Sequence, residues 1–111
     1  MSITTSPDPD LLVGRIFDSL NGAMELFTIY VGDQLGFYRL LHENGPLTSE
    51  QLASLGHTQE RSTREWLEQQ AVAGYLVVDH DAADPSDRVF RLPQEYVGVL
   101  VEDEDQAWRG L

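Results

Sequence analysis

The 111 residues predict a mainly α domain with a small β-hairpin, in which a winged helix-turn-helix follows one long N-terminal helix. Three observations support this prediction. Apolar residues recur every three or four positions between residues 10 and 35. Two capped helical segments follow a Gly45-Pro46 break, and the second of them ends at Gly74. The apolar run Tyr75–Val78, an Asp-rich turn and the run Arg88–Leu92 then have the order of a hairpin.

The composition excludes several classes of function. The chain carries a formal net charge of -12 at pH 7, and all seven of its cations are arginines. DNA affinity depends largely on cations that displace counterions from phosphates, so this charge opposes DNA binding. The chain has no cysteine, which excludes disulfides and thiolate metal sites. It shows no signal-peptide pattern and no apolar run near the ~20 residues of a membrane span. We therefore expect a cytoplasmic protein with no membrane partner.

The chain divides into three predicted parts. Residues 1–9 are expected to form a flexible leader that contains two prolines. Residues 10–101 are expected to form the winged-helix domain, and residues 102–111 an acidic C-terminal tail. Asp8 or Asp10 is the expected cap of the first helix, because a short acidic side chain at this position accepts a hydrogen bond from a free backbone N–H.

The first helix is predicted from Asp10 to Leu35 and is unusually apolar. Apolar residues at spacings of three and four mark one face, and others widen it, so the helix is expected to be covered on more than one side. A domain of this size has little surface of its own to supply that cover. We therefore predict a dimerisation helix or a lid that contacts another domain. The candidate interface residues are Leu12, Ile16, Leu20, Met24, Phe27, Tyr30 and Val31.

The shorter helices have recognisable boundaries. Thr48 with Gln51 matches a capping box, and Thr58 is expected to cap the helix that follows. Trp66 on that helix is expected to anchor the core. Its buried neighbours are expected to be Thr63, Leu67 and either Gln70 or Ala71. The predicted helices are Gly36–Glu43, Ser49–Leu55, Gln59–Ala73 and Gln94–Val101.

A DNA-binding winged helix needs cations on its recognition helix and wing, and here acids outnumber them. The wing holds a single cation among four aspartates. Two arginines of the predicted recognition helix each have a glutamate four residues away, at the spacing of a helical ion pair. The four wing aspartates are Asp79, Asp81, Asp84 and Asp87. The candidate DNA contacts are Arg61, Arg64 and Arg88.

Nothing in the chain suggests catalysis. His42, His57 and His80 share no helical spacing that would bring two metal ligands together. No Gly-x-Gly-x-x-Gly sequence occurs, and no nucleophile stands beside a general base. We therefore predict no catalytic, metal-binding or cofactor-binding residue in this chain.

Several segments together resemble the N-terminal winged-helix domain of bacterial class I S-adenosylmethionine-dependent methyltransferases of the kind common in actinobacteria. The resemblance covers about residues 20 to 105, and the order and spacing of the segments make it specific. The segments are Gly36-Phe37-Tyr38, Gly45-Pro46-Leu47-Thr48, Thr63-Arg64-Glu65-Trp66-Leu67, Gly74-Tyr75-Leu76 and Phe90-Arg91-Leu92-Pro93-Gln94-Glu95-Tyr96.

The resemblance implies a function without chemistry in these residues. In that family the domain dimerises through its first helix and roofs the substrate pocket of a following α/β domain, which holds S-adenosylmethionine. The chain ends at Leu111, where that catalytic domain would begin. The expected partners are thus a second copy of the chain or a methyltransferase catalytic domain, joined or separate. The alternative is a small dimeric winged-helix transcription regulator that binds DNA.

Overall fold

A computed structural model describes residues 6–102 of the chain. The predicted leader falls only partly in this range, and residues 103–111 of the predicted tail lie outside it. The predicted mainly α fold with a small hairpin is confirmed. The helices are α1 (Pro9–Gln34), α2 (Phe37–Asn44), α3 (Ser49–Gly56), α4 (Glu60–Ala73) and α5 (Gln94–Val97). The strands are β1 (Leu47–Thr48), β2 (Val77–His80) and β3 (Val89–Arg91).

Helix α1 starts as the sequence predicts and is by far the longest element. The Asp8 carboxylate accepts a hydrogen bond from the Asp10 backbone N–H at 2.9 Å, and Pro9 occupies the first turn. Its 26 residues give a length of about 39 Å at 1.5 Å per residue. The Cα radius of gyration is 17.3 Å, whereas a compact domain of this size has about 13 Å. The excess indicates that part of α1 extends beyond the rest of the domain.

The helix caps agree with the sequence at α3 and differ at α4. Thr48 and Gln51 form the predicted capping box at the start of α3. The expectation that Thr58 caps α4 was wrong, because Gln59 occupies the cap position and makes no side-chain cap hydrogen bond. The Thr58 hydroxyl instead lies 2.6 Å from the Thr63 hydroxyl. The helix begins one residue later than the predicted cap would place it.

The sheet has one strand more than the predicted hairpin. Strands β2 and β3 pair antiparallel, with a bulge between Val78 and His80, and β1 pairs antiparallel to the other edge of β3. The two-residue strand β1 was missed because so short a segment shows no alternation. The predicted last helix is also divided, since α5 gives way to a π-helical turn at Gly98–Glu102.

The core forms between α2, α3, α4, the sheet and the C-terminal turn. Trp66 is 8% exposed, and its ring lies 4.9 Å from that of Phe37 and 5.2 Å from that of Tyr38. The predicted anchoring role of Trp66 is thereby confirmed, as is the burial of Thr63, Leu67 and Gln70. Helix α1 supplies one buried residue to this arrangement, Gly32. The core is therefore nearly complete without the longest helix.

Gly32 allows α1 to approach Trp66 closely, which yields a first prediction. A Cβ at this position would lie 2.3 Å from Cζ2 of Trp66, so Gly32→Ala should destabilise the fold by about 1–3 kcal/mol through overpacking. Gly22→Ala on the same helix meets no atom within 4 Å and should stabilise by about 0.5–1 kcal/mol. Urea unfolding measures both variants. Equal effects of the two substitutions would contradict the close packing of α1 on Trp66.

Candidate interaction surface

Hydrogen bonds from the core attach the C-terminal half of α1. The indole Nε1 of Trp66 donates to the Thr28 carbonyl oxygen at 2.9 Å. The Gln70 side-chain amide donates to the Thr28 hydroxyl at 2.9 Å and accepts from the hydroxyl of Tyr38. The Tyr75 hydroxyl donates to the Glu25 carboxylate at 3.0 Å. We call these contacts the α1 clamp.

The clamp is built from groups that have few alternative partners. Gln70 is fully buried, and burial raises the pKa of Tyr38 well above its usual range, so its hydroxyl keeps its proton as a donor. Buried polar groups need hydrogen-bond partners, and loss of one partner leaves the others unsatisfied. The clamp therefore fixes which face of α1 lies against the domain.

The apolar face of α1 points away from the clamp. With about 100° between successive helical residues, Glu25, Thr28 and Gly32 lie on one side of α1. Most of the predicted interface residues lie on the opposite side, whereas Met24 and Val31 lie at the edge between the two faces. Six of the seven predicted residues are exposed, and Val31 is half-buried. Phe27 is 65% exposed and Ile16 is 59% exposed. We call the set the α1 stripe; it consists of Leu12, Ile16, Leu20, Met24, Phe27, Tyr30 and Val31.

The N-terminal part of α1 has no cover from the described domain. Every residue from Pro9 to Met24 is exposed, which corresponds to about 24 Å of helix. We call this segment the arm. Three further exposed apolar residues, Leu11, Val13 and Phe17, lie on it. The prediction that α1 is covered on more than one side is therefore not met within a single chain.

An apolar groove runs along the flank of α1 where the helix meets the C-terminal turns. Its volume is about 480 Å³. Residues of α1, the end of α4 and the C-terminal turns meet there, which sequence periodicity alone does not reveal. None of the lining residues is charged. They are Leu26, Ile29, Ala73, Gly74, Tyr75, Tyr96, Val99 and Leu100.

The candidate DNA contacts are paired with acids. Arg61 lies 3.4 Å from Glu65, and Arg64 lies 3.5 Å from its helical neighbour Glu60. On the wing, Arg88 lies 2.5 Å from Glu68 and 3.0 Å from Asp81. Each of the three arginines is therefore already in an ion pair with a carboxylate of the same chain.

Neither a metal centre nor a membrane segment is found within residues 6–102. In that part of the chain no three His, Asp or Glu side chains converge as metal ligands would. His42 lies 4.0 Å from Glu102, and the two form a pair rather than a larger cluster. None of the helices in the same range combines the length and the apolar character needed to cross a membrane.

The fold, the capped helices and the wing define a winged helix-turn-helix domain. The chain belongs to the Rv2258c-like winged HTH domain family, whose model matches residues 22–102. The match contains the clamp and the C-terminal half of the stripe, and it begins within the arm. Among curated proteins, none matches the chain by sequence.

Several solved structures that share this fold are methyltransferases. Human N-acetylserotonin methyltransferase, in complex with SAM, is 21% identical with a TM-score of 0.67 over 88% of this chain and 27% of its own. The mitomycin 7-O-methyltransferase MmcR is 26% identical, with a TM-score of 0.66. The match covers 82% of this chain and 25% of MmcR. The methyltransferase SibL is 25% identical, with a TM-score of 0.62. The match covers 79% of this chain and 24% of SibL.

The chain thus spans about a quarter of the length of these enzymes, and it corresponds to their N-terminal domain. The resemblance drawn from the sequence motifs is confirmed. These 111 residues contain the winged-helix part and not the catalytic part.

The clamp yields a second prediction. Gln70→Ala removes the amide shared by Tyr38 and Thr28, and leaves buried groups unpaired. It should lower the free energy of unfolding by about 1–3 kcal/mol. Gln34→Ala, the same change at an exposed position on α1, should stay within about 0.5 kcal/mol of wild type. Chemical denaturation measures the difference. If Gln70→Ala were as stable as Gln34→Ala, the clamp would not hold α1.

Proposed function

We propose that the chain is a non-catalytic interaction domain of a SAM-dependent methyltransferase. It dimerises through the α1 stripe and forms a lid on the substrate pocket of a catalytic domain, either within a longer chain or as a separate partner. One observation carries the proposal: the clamp directs the most apolar face of α1 away from the core and into solvent. The similarity to the N-terminal domains of methyltransferases supports it.

The size of the exposed apolar surface supports an interface. Soluble monomers seldom expose contiguous apolar patches beyond a few hundred Å². The stripe and its apolar neighbours run along most of α1, and the large side chains among them are each about half exposed. Nine such side chains are exposed. With on the order of 100 Å² from each, about 900 Å² per chain is available, close to the ~800 Å² per partner of a standard interface. A surface of this kind fits a protein partner.

We assign SAM to the catalytic domain rather than to these residues. A SAM site requires donors and acids for the ribose and the amino-acid part of the cofactor, and the uncharged groove beside α1 supplies no acid. The eight glycines within residues 6–102 stand singly. The absence of cysteine supports a cytoplasmic location as part of the same proposal.

The dimer gives a third prediction. Phe27→Asp places a charge in the middle of the stripe, so the interface would have to bury an unpaired carboxylate. The variant should weaken self-association at least 100-fold in sedimentation velocity, with a species near the 12.5 kDa of one chain. Val72→Asp is the matched control, because Val72 is 90% exposed on α4 and lies outside the stripe. It should associate as wild type does.

Two results would contradict the stripe as the interface. One is a Phe27→Asp dimer as tight as wild type. The other is equal weakening by Phe27→Asp and Val72→Asp, which would indicate a general effect of added charge. Circular dichroism of both variants confirms that the helices are retained.

The alternative function, a DNA-binding regulator, is supported by the winged-helix fold and opposed by the ion pairs. A fourth prediction follows. A labelled random duplex should show no anisotropy change at 50 mM salt, because Arg61, Arg64 and Arg88 already face carboxylates. A Glu65→Gln/Glu68→Gln variant frees Arg61 and leaves Arg88 paired with Asp81 alone, and it serves as the comparison. Binding by wild type that falls steeply with added salt would favour the regulator.

A further inference from the structure

We infer that Asn21–Gly22, in the arm, is a site of spontaneous deamidation in a chain that has no partner. The site follows from the single chain, whereas the effect of pairing on it rests on the proposed dimer. Both asparagines of the sequence precede a glycine, the other pair being Asn44–Gly45. The structure places the two pairs in opposite settings, so that each serves as the reference for the other.

Deamidation of an Asn-Gly pair needs only water. The backbone nitrogen of Gly22 attacks the Cγ atom of Asn21, a bond forms between them, and the bond from Cγ to Nδ2 breaks. Ammonia leaves and takes with it the proton that Gly22 loses. Water then opens the five-membered ring to aspartate or isoaspartate at position 21. Because a helix holds the glycine N–H on a carbonyl four residues earlier, the reaction requires local opening of the helix.

The Asn44–Gly45 pair is held in place. The side-chain nitrogen of Asn44 donates to the Leu40 carbonyl oxygen at 2.9 Å, and the Gly45 N–H donates to the Leu41 carbonyl oxygen at 3.0 Å. Leu41 is itself only 2% exposed, so α2 cannot open here without disturbing the core. Both the attacking nitrogen and the amide that would leave are therefore restrained.

The Asn21–Gly22 pair lacks these restraints. Asn21 is exposed, and within residues 6–102 its side chain makes no hydrogen bond. A Cβ at Gly14 or Gly22 would meet no atom within 4 Å, so nothing packs on the arm at either glycine. Glycine weakens a helix interior, and an isolated helix as short as the arm is marginal in water. The clamp begins at Glu25, so the arm opens without loss of a clamp contact.

Pairing through the stripe slows the reaction without covering Asn21. Asn21 lies about 20° around the helix from Thr28, on the clamp side and away from the stripe. Its neighbours Leu20 and Met24 belong to the stripe, and opening of the helix would withdraw both from the interface. The cost of opening therefore rises when two copies associate, and the exposed amide becomes less reactive.

The products impair the helix that carries the stripe. An aspartate at position 21 lies three residues after Asp18 and four before Glu25, and like charges at these helical spacings repel. An isoaspartate adds a methylene group to the main chain, which interrupts the i to i−4 hydrogen bonds. A chain that stays unpaired thus loses its ability to pair, and the loss is irreversible.

Peptide mass spectrometry of the full chain tests the site. Wild type, at a concentration at which it is dimeric, and Phe27→Asp are kept in mildly alkaline buffer, and conversion of both asparagines is followed in each sample. In Phe27→Asp we expect Asn21 to react at least ~10-fold faster than Asn44, and at least ~5-fold faster than Asn21 of wild type. In concentrated urea the two asparagines should react at similar rates, because the local structure is gone.

The outcomes separate the site from the dimer. Equal rates at Asn21 and Asn44 in folded Phe27→Asp would overturn the site. An equally large difference in urea would also overturn it, since sequence alone would then be the cause. Fast reaction of Asn21 in both folded proteins would confirm the site and contradict the proposed cover of the stripe, which sedimentation velocity checks independently.

Two further variants test the chemistry and its consequence. Gly22→Ala stabilises the helix and places a Cβ beside the attacking nitrogen, so conversion of Asn21 should fall at least ~10-fold. An unchanged rate would contradict the ring-closing route. Asn21→Asp should associate more weakly than Asn21→Gln, which keeps an amide at this position. Equal association of these two variants would contradict the loss of pairing.

Discussion

The hydrogen bonds of Trp66 and Gln70 to Thr28 determine which face of α1 lies on the domain and which face is exposed to solvent. They fix the C-terminal half of α1 on the domain by one face, and Gly32 lets the helix come close enough for them to form. The core beneath is already closed by α2, α4 and the sheet. The clamp therefore contributes mainly orientation: it turns the apolar stripe outward and lets the arm extend beyond the domain.

The distribution of charge differs between the α1 side and the side that carries the candidate DNA contacts. On the side that a DNA-binding winged helix uses, each candidate arginine has a carboxylate partner, so a nucleic acid would have to displace protein acids as well as counterions. On the α1 side, the stripe is apolar and uncharged. A fold that is common in DNA-binding proteins thus exposes an apolar surface of the kind that protein partners cover. The paired arginines belong to α4 and the wing, whereas the apolar stripe belongs to α1.

Local signals predicted much of this fold. The Thr48–Gln51 capping box, the Gly74 helix end, the buried face around Trp66 and the arginine–glutamate pairs all depend on spacings within one segment. What could not be predicted depends on contacts between distant segments. Thr28 shows no sequence signal for a clamp whose donors lie 38 and 42 residues away. The groove likewise combines α1 with the C-terminal turns, and the stripe was predicted without its groove.

The most direct test of the account is hydrogen–deuterium exchange of the wild-type chain over a range of concentrations. An arm with no cover exchanges its amides at rates set by local fraying, whereas an arm buried on a second copy is protected. We predict that protection of residues 11–24 rises with protein concentration, while that of α4 stays constant. Arm amides that exchange rapidly at every concentration would contradict the claim that a second copy covers the α1 stripe.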